Sequence, residues 1–113
     1  MIELIRNDSL TLTFQRIAAD DNIITEEADK IFFTVKQNNI TKTVVFQKTK
    51  QDMEFDLETG TYRFTILPED TVNLPYGTYK YDLEVVNGTD YKKTISIGDF
   101  IIEDEVTFAS NEV

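Results

Sequence analysis

The sequence predicts an all-β protein, an antiparallel β-sandwich of about seven to nine strands. Apolar and polar residues alternate with a period of two through most of the chain, and helical periodicity is nearly absent. Turns that contain glycine or asparagine separate the alternating runs. This pattern suits two packed sheets, because each sheet buries the apolar face of its strands and exposes the other face.

The alternating runs place the strands in order along the chain. A short strand is expected at Ile2–Ile5, and others at 43–48 and 53–57. The inward-facing apolar sets of the remaining early strands are Leu10, Leu12 and Phe14; Ile31, Phe33 and Val35; Tyr62, Phe64 and Ile66; and Tyr79, Tyr81, Leu83 and Val85.

The last strand is predicted to be long and irregular. Its inward set begins as Tyr91, Ile95 and Ile97, with Lys92, Thr94 and Ser96 on the opposite face. The apolar residues then change parity at Gly98-Asp99, and they continue as Phe100 and Ile102. One extra residue reverses the facing of every residue after it, so we expect a β-bulge at Gly98-Asp99.

Turn chemistry supports the same strand order. Asn87-Gly88 predicts a tight type I′ hairpin, because both central positions of that turn need positive φ. Asn38-Asn39 and Thr59-Gly60 are expected to reverse the chain at two further places. Residues 25–29 predict one helical turn, with Thr25 as its N-cap and acidic residues in the first turn.

Length and composition bound the organisation and the chemistry. The 113 residues fit one domain over 1–108, and the polar tail 109–113 is expected to fray. The chain contains no Cys, His or Trp, and it therefore lacks the commonest nucleophile, general base and metal ligands. We accordingly predict no enzymatic activity, no catalytic residues, no cofactor and no metal.

Charge and hydropathy suggest which partners to expect. There are 21 acidic against 11 basic residues, a net charge of -10, and such a field repels nucleic-acid phosphates. Solubility, a basic protein partner and mimicry of nucleic acid all remain open as explanations. Residues 1–20 contain no signal-like apolar run, and no stretch approaches the ~18 apolar residues of a membrane span. We expect neither nucleic acid nor membrane as a partner.

The Leu74-Pro75-Tyr76-Gly77-Thr78-Tyr79 segment is the sharpest local motif. A Tyr just after a Leu-Pro-x-Gly turn resembles the tyrosine corner of immunoglobulin-like sandwiches, where the phenol bonds back to the backbone of the turn. Tyr79 or Tyr81 would make that bond. The resemblance implies a structural corner formed by Leu74, Gly77, Tyr79 and Tyr81, with ligand stacking as the alternative.

Two acidic clusters are candidate surfaces. In a strand, Asp52, Glu54, Asp56 and Glu58 would project from one face, about 7 Å apart along it. That face is a tentative surface for a basic partner; a purely solvated face and a calcium site are the alternatives. The second cluster is Asp99 with 103–105, which would guard the edge of the last strand or, less simply, supply a carboxylate pair for sugar cleavage.

Three longer runs carry a family resemblance. They are ADKIFFTVK at 28–36, FDLETGTYRFTILPEDTVNLPYGTYKYDLEV at 55–85 and TISIGDFIIEDEVT at 94–107. They resemble small immunoglobulin-like proteins of tailed bacteriophages and prophages, in particular the N-terminal domain type of baseplate upper proteins. The matching positions are Glu69, Asp70, Thr71, Leu74, Gly77, Thr78, Tyr79, Tyr81, Asp82, Gly98, Phe100, Val106 and Thr107, which form a scaffold and no catalytic signature.

The resemblance implies an immunoglobulin-like β-sandwich and a function. The expected function is a non-enzymatic virion structural or adaptor protein of a tail, baseplate or capsid, made in the bacterial cytoplasm. Its partners would be other phage structural proteins or a second copy of itself. One alternative is an acidic inhibitor that mimics nucleic acid through the carboxylates of 52–58 and 99–105. The other is a cell-surface or carbohydrate adhesion module, which the inward parity of Tyr62, Tyr79, Tyr81 and Tyr91 disfavours.

Overall fold

The computed structural model describes residues 1–38, 43–88 and 91–103. Within these ranges the chain forms nine strands, one short helix and one 3-10 turn. The strands are β1 Ile2–Ile5, β2 Leu10–Ile17, β3 Ile23–Ile24, β4 Lys30–Lys36, β5 Val44–Thr49, β6 Glu54–Asp56, β7 Thr61–Ile66, β8 Gly77–Asn87 and β9 Tyr91–Glu103. The 3-10 turn is Lys50–Asp52, and helix α1 is Pro68–Thr71. The expected tail 109–113 lies outside the described residues.

The strands form two sheets, which confirms the all-β sandwich. One sheet has the order β1-β9-β8-β4-β5, and the other has β3-β2-β7-β6. Within them, β9-β8-β4-β5 and β2-β7-β6 reproduce the G-F-C-C′ and B-E-D orders of immunoglobulin-type sandwiches. The strand pairs are antiparallel as predicted except one, since β1 runs parallel to the end of β9. Parallel pairing is possible there because most of the chain separates these two strands.

The predicted inward residues of β4, β7 and β8 are buried and form the core between the sheets. Phe33 lies near its centre, with ring centroids 4.9 Å from Phe64 and 5.6 Å from Tyr81. Tyr62 packs between Phe14 and Phe55 at 5.1 and 4.5 Å. The Phe33–Phe64 contact joins the two sheets, and the other three aromatic contacts pack neighbouring strands within one sheet.

The long last strand is confirmed, but its irregularity lies elsewhere than predicted. Leu83 pairs with Ser96 and Glu84 pairs with Thr94, so the extra residue is Ile95 rather than one at Gly98-Asp99. Ser96 therefore shares the inward face with Leu83, and Ile97 points outward with 68% of its surface exposed. The predicted inward position of Ile97 is wrong because the parity of β9 changes two residues before it.

The helical turn predicted at 25–29 is wrong. This segment follows β3 without regular structure. Its backbone groups bond to other parts of the fold: the Glu26 carbonyl accepts from Arg16, and the Ala28 N–H donates to the Tyr62 hydroxyl at 2.8 Å. The Asp29 N–H donates to the Asn87 side chain at 2.9 Å. Since tertiary partners take these groups, the segment is fixed without helical hydrogen bonds.

The predicted hairpin between β8 and β9 exists, but Asn87-Gly88 is not the centre of a type I′ turn. Asn87 remains in β8 opposite Tyr91, and of these two residues Gly88 alone has positive φ, at 60°. The Asn87 side chain holds the segment before β4, and the Gly88 N–H donates to the Asp29 carboxylate at 2.6 Å. Thr89 and Asp90, like the second residue of the predicted Asn38-Asn39 reversal, lie outside the described residues.

Candidate functional site

The Leu-Pro-x-Gly-x-Tyr corner lies at the start of β8. The Tyr79 hydroxyl donates to the carbonyl of Pro75 at 2.8 Å, four residues earlier, and burial raises the pKa of this phenol. Tyr81 has a different role, because its hydroxyl lies 3.2 Å from Ser96 Oγ. Leu74 packs against the core, and Gly77 begins β8 with φ of 147°. The described contacts of Tyr79 and Tyr81 therefore lie within their own sandwich.

The exposed tyrosine of the corner is Tyr76. The Arg6 guanidinium lies 4.2 Å from the centre of its ring and donates to its hydroxyl at 2.7 Å. Arg6 follows β1, and it also lies 3.4 Å from the Leu74 carbonyl. These contacts connect the first strand to the corner through a cation–π interaction. No local pattern predicts this pair, since its members are 70 positions apart in the chain.

The first acidic cluster does not form the single face that its alternation predicts. Only Glu54 and Asp56 lie in β6; Asp52 ends the 3-10 turn, and Glu58 lies in the turn before β7. Asp52 accepts a hydrogen bond from the Thr49 N–H at 2.8 Å, and Asp56 accepts one from the Glu58 N–H at 3.0 Å. The 3-10 turn and the turn before β7 interrupt the strand, so only Glu54 and Asp56 share a strand face.

The second acidic cluster is only partly described, since 104 and 105 lie outside the described residues. Asp99 forms an ion pair with Lys80 on β8. Glu103 lies beside Glu3 of β1, and this neighbour raises the pKa of Glu103. The largest cause is a hydrogen bond between the two carboxyl groups; desolvation and charge repulsion by Glu3 contribute less. At Glu103, β9 is not an edge strand, because β1 pairs with Phe100–Glu103. Glu103 therefore guards no open edge, whereas Asp99 lies in the part of β9 that, among the described residues, pairs with β8 alone.

The structure brings together a groove that the sequence did not predict. It lies between β2–β3 of one sheet and β8–β9 of the other, and its volume is about 330 Å³. Its walls include Arg16, Ile24, Leu83, Lys93 and Ile95. We call it the Arg16 groove. Among the described residues, the charged side chains that line it are Arg16 and Lys93, both cationic, in a chain whose net charge is -10.

Arg16 is the unusual residue of this groove. It continues the inward face of Leu10, Leu12 and Phe14 and is only 8% exposed. Its guanidinium donates to the Glu26 carbonyl, while its Nε is buried and has no hydrogen-bond partner among the described residues. No described carboxylate forms an ion pair with it. A buried cation with a spare donor is energetically unfavourable unless another group supplies an acceptor.

A sequence signal for Arg16 existed. The alternation that places Leu10, Leu12 and Phe14 inward also places Arg16 inward, where a long charged side chain is rare. The position of Lys93 opposite it depends on the pairing of β9 with β8 and on the bulge at Ile95. Alternation within one strand cannot show which residues of the other sheet complete the groove.

Three further observations concern metal sites, membrane-spanning helices and similarity to known proteins. The described ranges contain no group of three or more Asp, Glu, His or Cys side chains arranged to hold a metal ion. Neither helical segment in the described part of the chain is long and apolar enough to cross a membrane. No protein-family model matches the chain, and comparison with curated proteins finds no match.

Proposed function

We propose that this protein is a non-enzymatic structural or adaptor subunit that acts through protein–protein contacts. The setting that we propose is the virion of a tailed phage or prophage, reached after synthesis in the bacterial cytoplasm. This setting comes from the resemblance of runs 28–36, 55–85 and 94–107 to virion immunoglobulin-like proteins. The sandwich with its corner at Tyr79 supports the fold that the resemblance implies.

The observation that best supports a contact function is the open half of β9. Strand β1 pairs with β9 only at Phe100–Glu103, so among the described residues the backbone of 92–99 pairs with β8 alone. Unpaired N–H and C=O groups along a strand are a template for another polypeptide. Exposed apolar residues lie close by: Ile17 lines the Arg16 groove, and Ile97 projects from the open half itself.

The two alternative functions receive less support. Three carboxylates of the 52–58 cluster bond within their own chain, including Glu54, which pairs with Arg63 at 2.5 Å. A nucleic-acid mimic needs such groups free and aligned. A carbohydrate module needs exposed aromatic platforms, whereas Tyr62, Tyr79 and Tyr81 are buried.

Particle composition tests the proposal. The gene is deleted in a phage or lysogen that carries it, and purified particles are analysed by mass spectrometry, electron microscopy and infectivity. We expect the protein in wild-type particles, and we expect particles without it to be incomplete or less infectious. Fully infectious, normal particles from the deletion strain, together with absence of the protein from wild-type particles, would refute a virion role.

A further inference from the structure

The Arg16 groove has the charge of a site for an anionic partner. Arg16 and Lys93 are cationic, and no carboxylate of the described ranges lines the groove, although acidic residues outnumber basic ones in the chain by 21 to 11. A second cavity touches Arg16 from the other side and is lined by Glu26, Glu27 and Asp29. The Glu27 carboxylate pairs with Lys50 at 3.2 Å, and that of Asp29 accepts from the Gly88 N–H. Arg16 thus remains without a carboxylate partner in the described structure.

The backbone beside the groove also has a neighbouring strand on one side only, among the described residues. Lys93, Thr94, Ile95 and Ser96 line the groove, and they belong to the half of β9 that has no second neighbouring strand among the described residues. An added strand would find backbone donors and acceptors along this edge. Its side chains alternate between the two faces, so every second one would point toward Arg16 and the apolar wall.

We propose that the Arg16 groove and the open half of β9 bind one extended segment of a partner polypeptide, in which carboxylate and apolar residues alternate. The segment adds a strand to β9, and one of its carboxylates accepts hydrogen bonds from the Arg16 guanidinium. Lys93 at the rim adds a second positive charge. The apolar side chains point to the other face, where the exposed Ile97 of β9 contacts them. This inference rests on the proposed contact function and identifies the surface and the chemistry of the partner.

A binding role and a purely structural role for Arg16 predict opposite effects of its mutation on stability and on binding. A buried guanidinium without a carboxylate partner destabilises the free protein, and leucine removes that charge while it keeps the apolar packing of the side chain's first carbons. We therefore expect Arg16→Leu to keep or raise the melting temperature of the free protein while it abolishes binding. A residue retained for folding alone would show a lower melting temperature and unchanged binding.

A blocked peptide serves as the probe. The acetylated and amidated heptapeptide DMEFDLE, which copies residues 52–58, has the required alternation; its amide analogue NMQFNLQ has the same shape without charge. Each is titrated into ¹⁵N-labelled full-length protein at low salt. We expect saturable binding of DMEFDLE with a dissociation constant below about 1 mM. The shifted amides should be those of 92–97 and Ile24, and the N–H groups of 92–97 should gain protection from hydrogen exchange.

Three variants and the analogue separate the contributions. Arg16→Leu should weaken DMEFDLE about tenfold or more, because it removes charge-assisted hydrogen bonds. Lys93→Gln should weaken it by a smaller factor, since Lys93 is exposed and solvent screens its charge. The matched control is Arg63→Leu, which removes the same charge from the outer face of β7 and should leave binding unchanged. NMQFNLQ should bind the wild type weakly, and Arg16→Leu should not distinguish the two peptides.

Several outcomes would overturn the inference. One is that DMEFDLE shows no saturable binding up to roughly 5 mM peptide. Another is that the amide shifts are confined to other surfaces, and a third is that Arg16→Leu and Arg63→Leu weaken peptide binding equally. Self-association of the wild-type protein that Arg16→Leu abolishes, measured by sedimentation velocity, would overturn the choice of a foreign partner in favour of a second copy. If the peptide does not bind but the protein is incorporated normally into virions, the binding site is refuted and the proposed function is not. If the peptide binds but the protein has no role in virions, the proposed function is refuted instead.

Discussion

Two buried tyrosine hydroxyls offer a direct test of how this sandwich is stabilised. Tyr62 is fully buried, and its hydroxyl accepts the N–H of Ala28, which is itself 1% exposed. Tyr79 donates to the carbonyl of Pro75, an exposed residue in the corner. Replacing either tyrosine by phenylalanine removes one oxygen and keeps the aromatic packing. The two changes differ in what they leave behind.

The structure predicts a larger loss for Tyr62→Phe. That change leaves the buried Ala28 N–H without an acceptor, and an orphaned buried donor costs about 1–3 kcal/mol. Tyr79→Phe frees a carbonyl that water can reach, so only the net value of the bond is lost, about 0.5–1.5 kcal/mol. For a domain of this size, each kcal/mol lowers the melting temperature by roughly 4 °C.

Urea unfolding followed by circular dichroism measures both variants against the wild type. We expect an unchanged m-value, since neither change alters the surface exposed on unfolding, and a lower midpoint for Tyr62→Phe than for Tyr79→Phe. The reverse order, or a loss below about 0.5 kcal/mol for Tyr62→Phe, would refute the argument that the Ala28 N–H depends on Tyr62. It would also remove the reason given above for the non-helical course of 25–29.

Two further predictions concern a titration and a turn. The pKa of Glu103 is raised in the folded protein, which means that the folded state binds the carboxyl proton more tightly than the unfolded state does. The stability that the protonated Glu103 contributes is therefore fully present below the ordinary pKa of 4.5, and it is lost as pH rises through the folded pKa. Glu103→Gln should therefore raise the melting temperature at pH 7 and not at pH 3.5, and an equal effect at both would contradict the pairing with Glu3. Gly60→Ala should destabilise by about 1–3 kcal/mol, because φ is 71° and a Cβ would lie 2.5 Å from the Ile24 carbonyl oxygen. Gly88→Ala is the control in urea unfolding, because its φ is 60° and a Cβ there would lie within 4 Å of no described residue beyond its chain neighbours. It should cost less than Gly60→Ala, and equal losses would exclude the clash.

The sequence was sufficient for the parts of the fold that depend on one strand at a time. Alternation within β4, β7 and β8 identified the buried residues, because a strand places successive side chains on opposite faces whatever its neighbours are. The corner at Leu74–Tyr79 was also readable, since both partners of the Tyr79 hydrogen bond lie within five consecutive residues. Local geometry alone determines features of this kind.

The tertiary structure decided the features that join distant segments. The bulge at Ile95 follows from the pairing of β9 with β8, and it turned Ile97 outward although the apolar pattern placed it inward. Residues 25–29 form no helix because Arg16, Tyr62 and Asn87 take their backbone groups. The Arg16 groove likewise exists only because β2 and β9, some 80 positions apart in the chain, lie across the same gap. A pattern along one strand fixes which way a side chain points, and only the packing of the two sheets fixes what it meets there.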